Sequence, residues 1–319
     1  MSAAACLAAC LAAYTVTVAV VAPRILPRLT RSGIAPRLGV AAWLAAITTT
    51  VLAAVVTVVA VIAEAVVGRS IVNACEHLVQ AVSGVHSAPA AQFATTVVAL
   101  AAGGTLTFAG VQLTRNLAAR RRVTFHHARS ARMVGRRIDG VDALVLDAPE
   151  RAAYCVPGRP HAIVVTRGAL DALDHPQLDA VLAHERAHLD GRHPQLLAVV
   201  RALADTAPRV SIFTAGAADV ARLLEMCADD QAMRTHEPRM LLHGLVALAG
   251  AGPVPDGAVG AGNVAVLDRA GRLASPAARA DRLRNRAQLG AAIALLAALP
   301  LAATALALAG RMLCITAVF

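Results

Sequence analysis

The sequence contains no lysine, and all of its side-chain positive charge at neutral pH is carried by arginine. The 30 basic residues stand against 20 acidic ones, so the formal net charge at pH 7 is +10. Because the chain is rich in alanine and the arginines lie beside apolar runs, this pattern favours coding bias and membrane topology over nucleic-acid binding. We therefore expect no direct contact with nucleic acid.

The six cysteines are scattered along the chain without a C-x-x-C pair. This spacing excludes a disulfide framework as the organising feature of the fold. Cys227 stands two residues after a candidate metal ligand and could bind a metal as a thiolate. The pattern is more typical of a small buried residue.

Long apolar runs dominate the composition. Hydrophobic residues make up 57% of the chain and the mean hydropathy is +0.61, which is too apolar for an ordinary soluble domain. Four runs are long enough to cross a bilayer. They predict a membrane region at 1–114 with spans at about 3–22, 39–63 and 89–114, a basic segment at 115–138, a globular domain at 139–287, a fourth span at 288–310 and a tail at 311–319.

The arginines predict the orientation in the membrane. They follow the first apolar run instead of preceding it, which favours a retained span over a cleaved signal peptide. Eight arginines lie between residues 115 and 137, whereas the preceding connection holds one. The positive-inside rule therefore predicts a multi-pass cell-membrane protein with a cytoplasmic domain and both termini outside. We interpret the basic segment as a contact for anionic lipid; contact with DNA or a repressor is the weaker alternative.

The globular domain begins with the pattern of a small sheet. Residues 141–147 and 162–166 alternate or are rich in β-branched residues, and Pro157, Gly158 and Pro160 predict a tight turn before the second strand. A free strand edge beside a metal-binding helix can pair with an extended substrate backbone.

The segment LDAVLAHERAHLDGR at 178–192 contains His184, Glu185 and His188 in the order H-E-x-x-H. An apolar stripe, Pro176 in the first turn and Gly191 at the end predict a helix. Residues four apart share a helix face, so both imidazoles can bind one metal ion while Glu185 holds a water beside it. We expect one zinc ion per chain, since catalytic zinc sites use three N or O ligands and one open position. The alternative is an ion pair on an ordinary helix.

A second amphipathic helix is predicted after Gly216. Within it Glu225 and Asp229 stand four apart, so both carboxylates point the same way. Glu225 can complete a two-histidine, one-glutamate metal site, and Asp229 can accept the second N–H of a ligand histidine. A solvated acidic face is the alternative, but the histidine pair upstream favours the metal site.

Two further segments carry weaker patterns. Residues 195–215 are apolar but interrupted by charges and Pro208, so we predict a helix against the domain or the membrane surface and not a span. Glycine, alanine and proline in residues 251–274 predict a mobile loop.

The string AVLAHERAHLDGR at 180–192 resembles the zinc helix of integral-membrane gluzincin peptidases, a group of HtpX-type proteases, CAAX prenyl proteases and BlaR/MecR antirepressor peptidases. EMCADDQA at 225–232 is similar to their downstream E-x-x-A-D-x-x-A element, and PGRPHAIVVTRGAL and ASPAARADRL are weaker matches in the expected order. Three spans before the domain and one after it resemble the BlaR/MecR arrangement more than HtpX. The resemblance implies an α-helical membrane protein with an inserted α+β zincin-type (gluzincin) metallopeptidase domain.

By this resemblance, His184, His188 and Glu225 are zinc ligands, Glu185 is the general base and Asp229 contacts a ligand histidine. His193 departs from the group, because relatives commonly have aspartate at this position. The chain also ends nine residues after its fourth span. We therefore expect no extracellular penicillin-binding sensor and no β-lactam sensing through one.

The expected function is that of a zinc metalloendopeptidase with a cytoplasmic active site. The oxyanion of the reaction needs a further donor, and Tyr154, Arg234 and His236 are the candidates. The spans favour regulatory proteolysis of a BlaI/MecI-like repressor or a membrane regulator. HtpX-like quality control of membrane proteins is the first alternative, and a catalytically inactive membrane scaffold is the second.

Overall fold

The computed structural model describes residues 3–82, 89–138, 140–158, 161–248, 259–260, 269, 271–273 and 277–316. The helices with defined bounds are α1 (Ala3–Thr30), α2 (Pro36–Val82), α3 (Pro89–Val134), α4 (Arg167–Ala172), α5 (His175–Asp190), α6 (His193–Thr206), α7 (Ser211–Ala232), α8 (Pro238–Leu248) and α9 (Arg279–Thr316). The strands are β1 (Arg136–Arg137), β2 (Leu144–Leu146), β3 (Ala153–Val156), β4 (Ala162–Thr166) and β5 (Val259–Gly260).

The chain divides into two compact units. The first comprises Met1–Pro23, Leu44–Gln112 and Ala291–Phe319, and the second comprises Arg24–Trp43 and Leu113–Gly290. Within the described residues, four helices are long and apolar enough to cross a membrane, over Leu7–Thr30, Pro36–Val66, Thr96–Val134 and Arg279–Ala305. Their length and composition support a membrane protein.

The membrane helices extend beyond the predicted spans. Helix α1 continues through Pro23 to Thr30, and α2 continues to Val82 through much of the predicted connection. Each helix continues beyond its apolar run, because the backbone hydrogen bonds that define a helix do not require apolar side chains. Within the first unit, the Tyr14 hydroxyl lies 2.8 Å from both the Thr49 hydroxyl and the Leu296 carbonyl oxygen.

The second unit contains a five-stranded sheet in the order β1-β2-β4-β3-β5. Strands β2 and β4 are parallel, and the other neighbouring pairs are antiparallel. The predicted strand at 162–166 is confirmed as β4, whereas the one predicted at 141–147 is reduced to β2. Strand β5 pairs with β3, placing Val259 opposite Cys155. Strand β4, the predicted strand just ahead of the metal-binding helix, pairs with β2 on one side and β3 on the other, so the edge expected to be free for a substrate backbone is occupied by the chain itself.

Side chains of the sheet alternate between two helical layers. One face packs against α5 in a buried cluster that includes Ala153, Ile163, Val165, Leu178, Val181 and Leu182. The other face packs against the C-terminal part of α3 through Ala128, Ala131, Tyr154, Val156 and Val164. This alternation sets which residues of β3 face the metal-binding helix.

Helix α5 begins and ends as its sequence predicts. The Asp174 side chain accepts a hydrogen bond from the Gln177 backbone N–H at 2.9 Å, and the Gln177 side chain accepts one from the Asp174 backbone N–H. Pro176 lies in the first turn and Gly191 is the C-cap. This capping box satisfies N–H groups that a helix start leaves without partners.

The prediction of one helix over 195–215 is corrected by the structure. Helix α6 ends at Thr206, Pro208 lies in the break, and α7 already begins at Ser211. Gly216 is buried inside α7 and does not precede it. The break is expected physically, because proline cannot donate the backbone hydrogen bond that a helix interior needs. Helix α6 packs against α7, which confirms the predicted placement against the domain.

Candidate metal centre

The two histidines of the H-E-x-x-H motif meet one helical turn apart on α5. Their Nε2 atoms lie 3.1 Å apart, and both side chains are fully buried. Residues four apart share a face of the helix, so the local fold alone brings His184 and His188 together. The predicted juxtaposition of these histidines is therefore present.

Helix α7 adds a carboxylate to this pair. Glu225 Oε2 lies 3.5 Å from His184 Nε2, and Glu225 Oε1 lies 3.4 Å from His188 Nε2. One ligand atom of each residue falls within 4.8 Å of the others. Ligands at about 2.1 Å in a tetrahedral site are separated by about 3.4 Å, so the three residues fit one metal ion.

The Glu185 side chain gives an independent indication of a metal site. Both of its carboxylate oxygens are buried and have no side-chain hydrogen-bond partner among the described residues, and only the backbone of Cys155 favours their charged form as a donor. Burial of the carboxylate raises the pKa of Glu185 to about 8. An unpaired buried carboxylate is costly, so its place beside the two histidines fits a centre built to hold a metal ion and a water.

Each ligand histidine has a partner at its second ring nitrogen. Asp229 Oδ1 lies 3.1 Å from His184 Nδ1 in an ion-pair contact that lacks the alignment of a full hydrogen bond, and His193 Nδ1 lies 2.9 Å from His188 Nδ1 in a hydrogen bond. An acceptor at Nδ1 leaves Nε2 free to bind a metal. His193 can serve as a neutral acceptor, because burial, aided by His188, lowers its pKa to about 4.

A buried arginine joins the two carboxylates of α7. Arg269 is 1% exposed and donates to both Asp229 oxygens, at 2.9 and 2.5 Å, and to Glu225 Oε2 at 3.2 Å. A bidentate pair of this kind fixes the orientation of the carboxylate. Sequence analysis missed Arg269, which lies in the predicted loop at 251–274. Most of that segment is outside the described residues, and two arginines, Arg269 and Arg272, in a stretch rich in glycine and alanine give no periodic apolar signal.

Neighbouring charges outweigh burial at both carboxylates. Burial would raise the pKa of Glu225, but His188, His184 and Arg269 hold it well below its usual value. Burial would also raise the pKa of Asp229, which His184 and Arg269 lower to about 2. Both groups are therefore ionised at neutral pH, as a metal ligand and a proton acceptor must be.

At His184, neighbouring charges also outweigh burial, but they raise the pKa. Burial would lower its pKa, but Asp229 and Glu225 raise it to about 9. In the metal-free protein, His184 is therefore a positively charged imidazolium at neutral pH. Metal binding at this ring must release one of its two protons.

The centre has the donor set that is typical of a metallopeptidase. It consists of two buried imidazoles and a carboxylate, and a further buried glutamate follows the first imidazole in the chain. Residues 116–251 match the model of Peptidase family M48. The match begins in α3 and ends just beyond α8, so the matched segment includes His184, His188 and Glu225. It supports a membrane-type metallopeptidase of family M48. No curated protein and no solved structure matches the chain.

The three predicted oxyanion donors have described contacts other than the metal ligands. The Tyr154 hydroxyl lies 3.1 Å from Nε2 of His127, on the sheet face that packs against α3. Arg234 is exposed, and His236 contacts the hydroxyl of neighbouring Thr235 at 2.9 Å. Within the described part of the chain, no hydrogen bond or ion pair joins these residues to the ligands.

Cys155 occupies the face of β3 that Tyr154 does not. It is fully buried, and its pKa is raised well above the usual value by burial and by the carboxylates of Glu185 and Glu225. Cys227 is also buried, and burial with Asp230 raises its pKa to about 12. Both thiols are protonated at neutral pH, which supports the interpretation of Cys227 as a small buried residue.

Proposed function

We propose that this protein is a membrane-embedded zinc metalloendopeptidase with a cytoplasmic active site. The observation that carries the proposal is the buried set of His184, His188 and Glu225, with the unpaired carboxylate of Glu185 beside it. The M48 match and the four membrane-length helices support the enzyme class and the membrane location. The arginine distribution supports a cytoplasmic domain with both termini outside.

Two imidazoles and one carboxylate form a donor set that suits zinc. A bound zinc ion would polarise the scissile carbonyl and lower the pKa of the attacking water. Glu185 would serve as the general base that accepts a proton from the attacking water and passes it to the leaving amine.

Three residues keep the ligands in position. Asp229 and His193 each set the tautomer of one ligand histidine, and Arg269 joins Asp229 to Glu225. Such outer contacts commonly decide metal affinity. For the oxyanion, Arg234 and His236 remain the proposed donors, and Tyr154 is weaker because His127 contacts its hydroxyl.

We further propose that the peptidase is regulatory and cuts a cytoplasmic repressor, of the BlaI/MecI kind, or a membrane-tethered regulator. Three predicted spans before the domain and one after it support this role. HtpX-like quality control is the alternative that the similarity of the zinc helix supports. A catalytically inactive scaffold is disfavoured, since a structural metal site has no need of the unpaired Glu185 carboxylate.

Metal analysis of the purified full chain tests the enzyme class. We expect about one equivalent of zinc in the wild type and little in His188→Ala, because two remaining ligands bind weakly. Glu185→Gln should retain the metal and lose peptidase activity by roughly 10²–10⁴-fold. Proteolysis that survives complete chelation would contradict the proposal.

Cleavage products in cells distinguish regulation from quality control. Fragments are compared between cells that produce the wild type and cells that produce Glu185→Gln. One or two discrete substrates support regulation, whereas many membrane-protein fragments support quality control.

A further inference from the structure

The segment 30–43, which comprises the end of α1, the connection and the start of α2, contacts the helix that carries the third ligand; we call this segment the α1–α2 turn. Asp219 of α7 accepts hydrogen bonds from the Thr30 hydroxyl and from Nε1 of Trp43, the latter at 2.6 Å. Thr30 and Trp43 are buried, and all three residues belong to the second unit. Asp219 stands six positions before Glu225, and within the described residues it makes no hydrogen bond or ion pair with a metal ligand.

Arg222 completes this contact one helical turn after Asp219. Its guanidinium donates to Asp219 Oδ1 at 2.6 Å and to the carbonyl oxygens of Thr30 and Arg31 at 3.0 and 3.4 Å. Carbonyl groups at the end of a helix lack partners within that helix. Helix α7 therefore supplies the donors that cap the end of α1.

Glycine allows the turn to approach α7 closely. Gly33 has φ +60°, and a Cβ at this position would collide with Sδ of Met226. A Cβ at Gly39 would lie 3.0 Å from Cδ1 of Leu223. Met226 directly follows Glu225, so the turn reaches the neighbours of the ligand.

Helix α7 thus has two contact faces. Asp219, Arg222 and Met226 meet the turn, whereas Glu225 and Asp229 meet the other groups of the metal centre. The helix is continuous over Ser211–Ala232. Six residues correspond to about 9 Å along the axis, so a shift of α7 at Asp219 is passed on to Glu225.

We propose that Asp219 is a positioning residue of the metal centre, which sets the place of the Glu225 ligand by holding the α1–α2 turn on α7. The inference rests on the proposed function. A largely buried carboxylate is stable only while its donors remain, so Asp219 depends on the turn as much as the turn depends on Asp219. A rearrangement of this turn then changes metal affinity without altering any ligand.

Trp43 is the sole tryptophan of the chain, so its fluorescence reports directly on the Asp219 contact. Zn²⁺ is titrated into the full chain in detergent, with a chromophoric chelator as competitor, and Trp43 emission is recorded. We expect Asp219→Ala to weaken Zn²⁺ affinity by about 10-fold or more. Trp43→Phe, which removes the N–H donor, should weaken it less. Zn²⁺ should change Trp43 emission in the wild type and not in His188→Ala.

Asp205→Ala is the matched control, since it removes an aspartate paired with Arg120 elsewhere in the same unit. It should leave both Zn²⁺ affinity and the Trp43 response unchanged. Equal affinities in folded Asp219→Ala and Asp205→Ala would overturn the positioning role alone. If Asp219→Ala does not fold, unchanged affinity in both Asp219→Asn and Trp43→Phe would overturn it. A wild type that binds no Zn²⁺ would overturn the proposed function and this inference together.

Discussion

The two helices that provide the metal ligands are held in place in different ways. Helix α5 is started by its own capping box and brings its two histidines together through spacing alone. Helix α7 has no side-chain cap at its start, and its carboxylates are held by Arg269, while the turn after Thr30 docks on its other face. Two ligands are therefore encoded locally, and the third depends on contacts between distant parts of the chain.

Removal of the Arg269 side chain should cause the largest loss of stability and Zn²⁺ affinity among these variants, because it affects the ligand helix that depends on distant contacts. Arg269→Ala removes the guanidinium shared by the buried carboxylates of Asp229 and Glu225, and leaves Arg272, at 3.5 Å, as the remaining arginine beside Asp229. Breaking a buried ion pair costs about 3–5 kcal/mol, and loss of an outer contact weakens metal binding about 10–100-fold. Thermal unfolding and Zn²⁺ competition measure both effects. The control is Arg186→Ala, which removes an arginine of α5 that forms an exposed ion pair with Asp142. If both variants lost the same stability and Zn²⁺ affinity, the difference between the two helices would be refuted.

The stability of the metal-free protein at acidic pH should depend on His193, the residue that contacts His188 of α5. The folded pKa of His193 is about 4 against 6.5 for the free side chain, so the unfolded chain binds more protons between these values. Stability of the metal-free protein should therefore fall as the pH drops from 6.5 to 4, by at most roughly 3 kcal/mol from this residue. Melting temperatures across this range test it.

The comparison variant for this pH profile is His193→Asn, in which the profile should become flatter. His175→Asn, at the exposed start of α5, should leave it unchanged. A His193→Asn profile as steep as that of the wild type would assign the acid sensitivity to other groups.

The smallest effect is expected at the start of α5. Asp174→Ala removes one half of the capping box, which should reduce stability by about 1 kcal/mol. Because His184 lies more than two turns from the cap, Zn²⁺ affinity of the folded protein should not change. A clear loss of affinity would show that the histidine pair also depends on how its helix begins.

The parts of the site that sequence reasoning predicted follow from local rules. The spacing of His184 with His188 and of Glu225 with Asp229 gives shared helix faces, and both pairs lie together in the structure. The ends of α5 were also predictable, because the capping residues lie next to the helix that they cap.

The contacts of the site that were not predicted join residues that are far apart in the sequence. Arg269 lies 40 positions from Asp229, and Thr30 lies 189 positions from Asp219. Neither contact leaves a periodic pattern, because each is made by one side chain from a separate segment. The start of α7 was missed for another reason: Pro208 divides an apolar run that contains parts of two helices.

The shielding of the centre from solvent has a kinetic consequence. His184, Glu185, His188, Glu225 and Arg269 are each at most 2% exposed. An ion held there can leave only when the surrounding structure opens locally. Extraction by a chelator would therefore proceed at the rate of this opening, and the length of incubation, more than the strength of the chelator, would decide how much enzyme is inactivated.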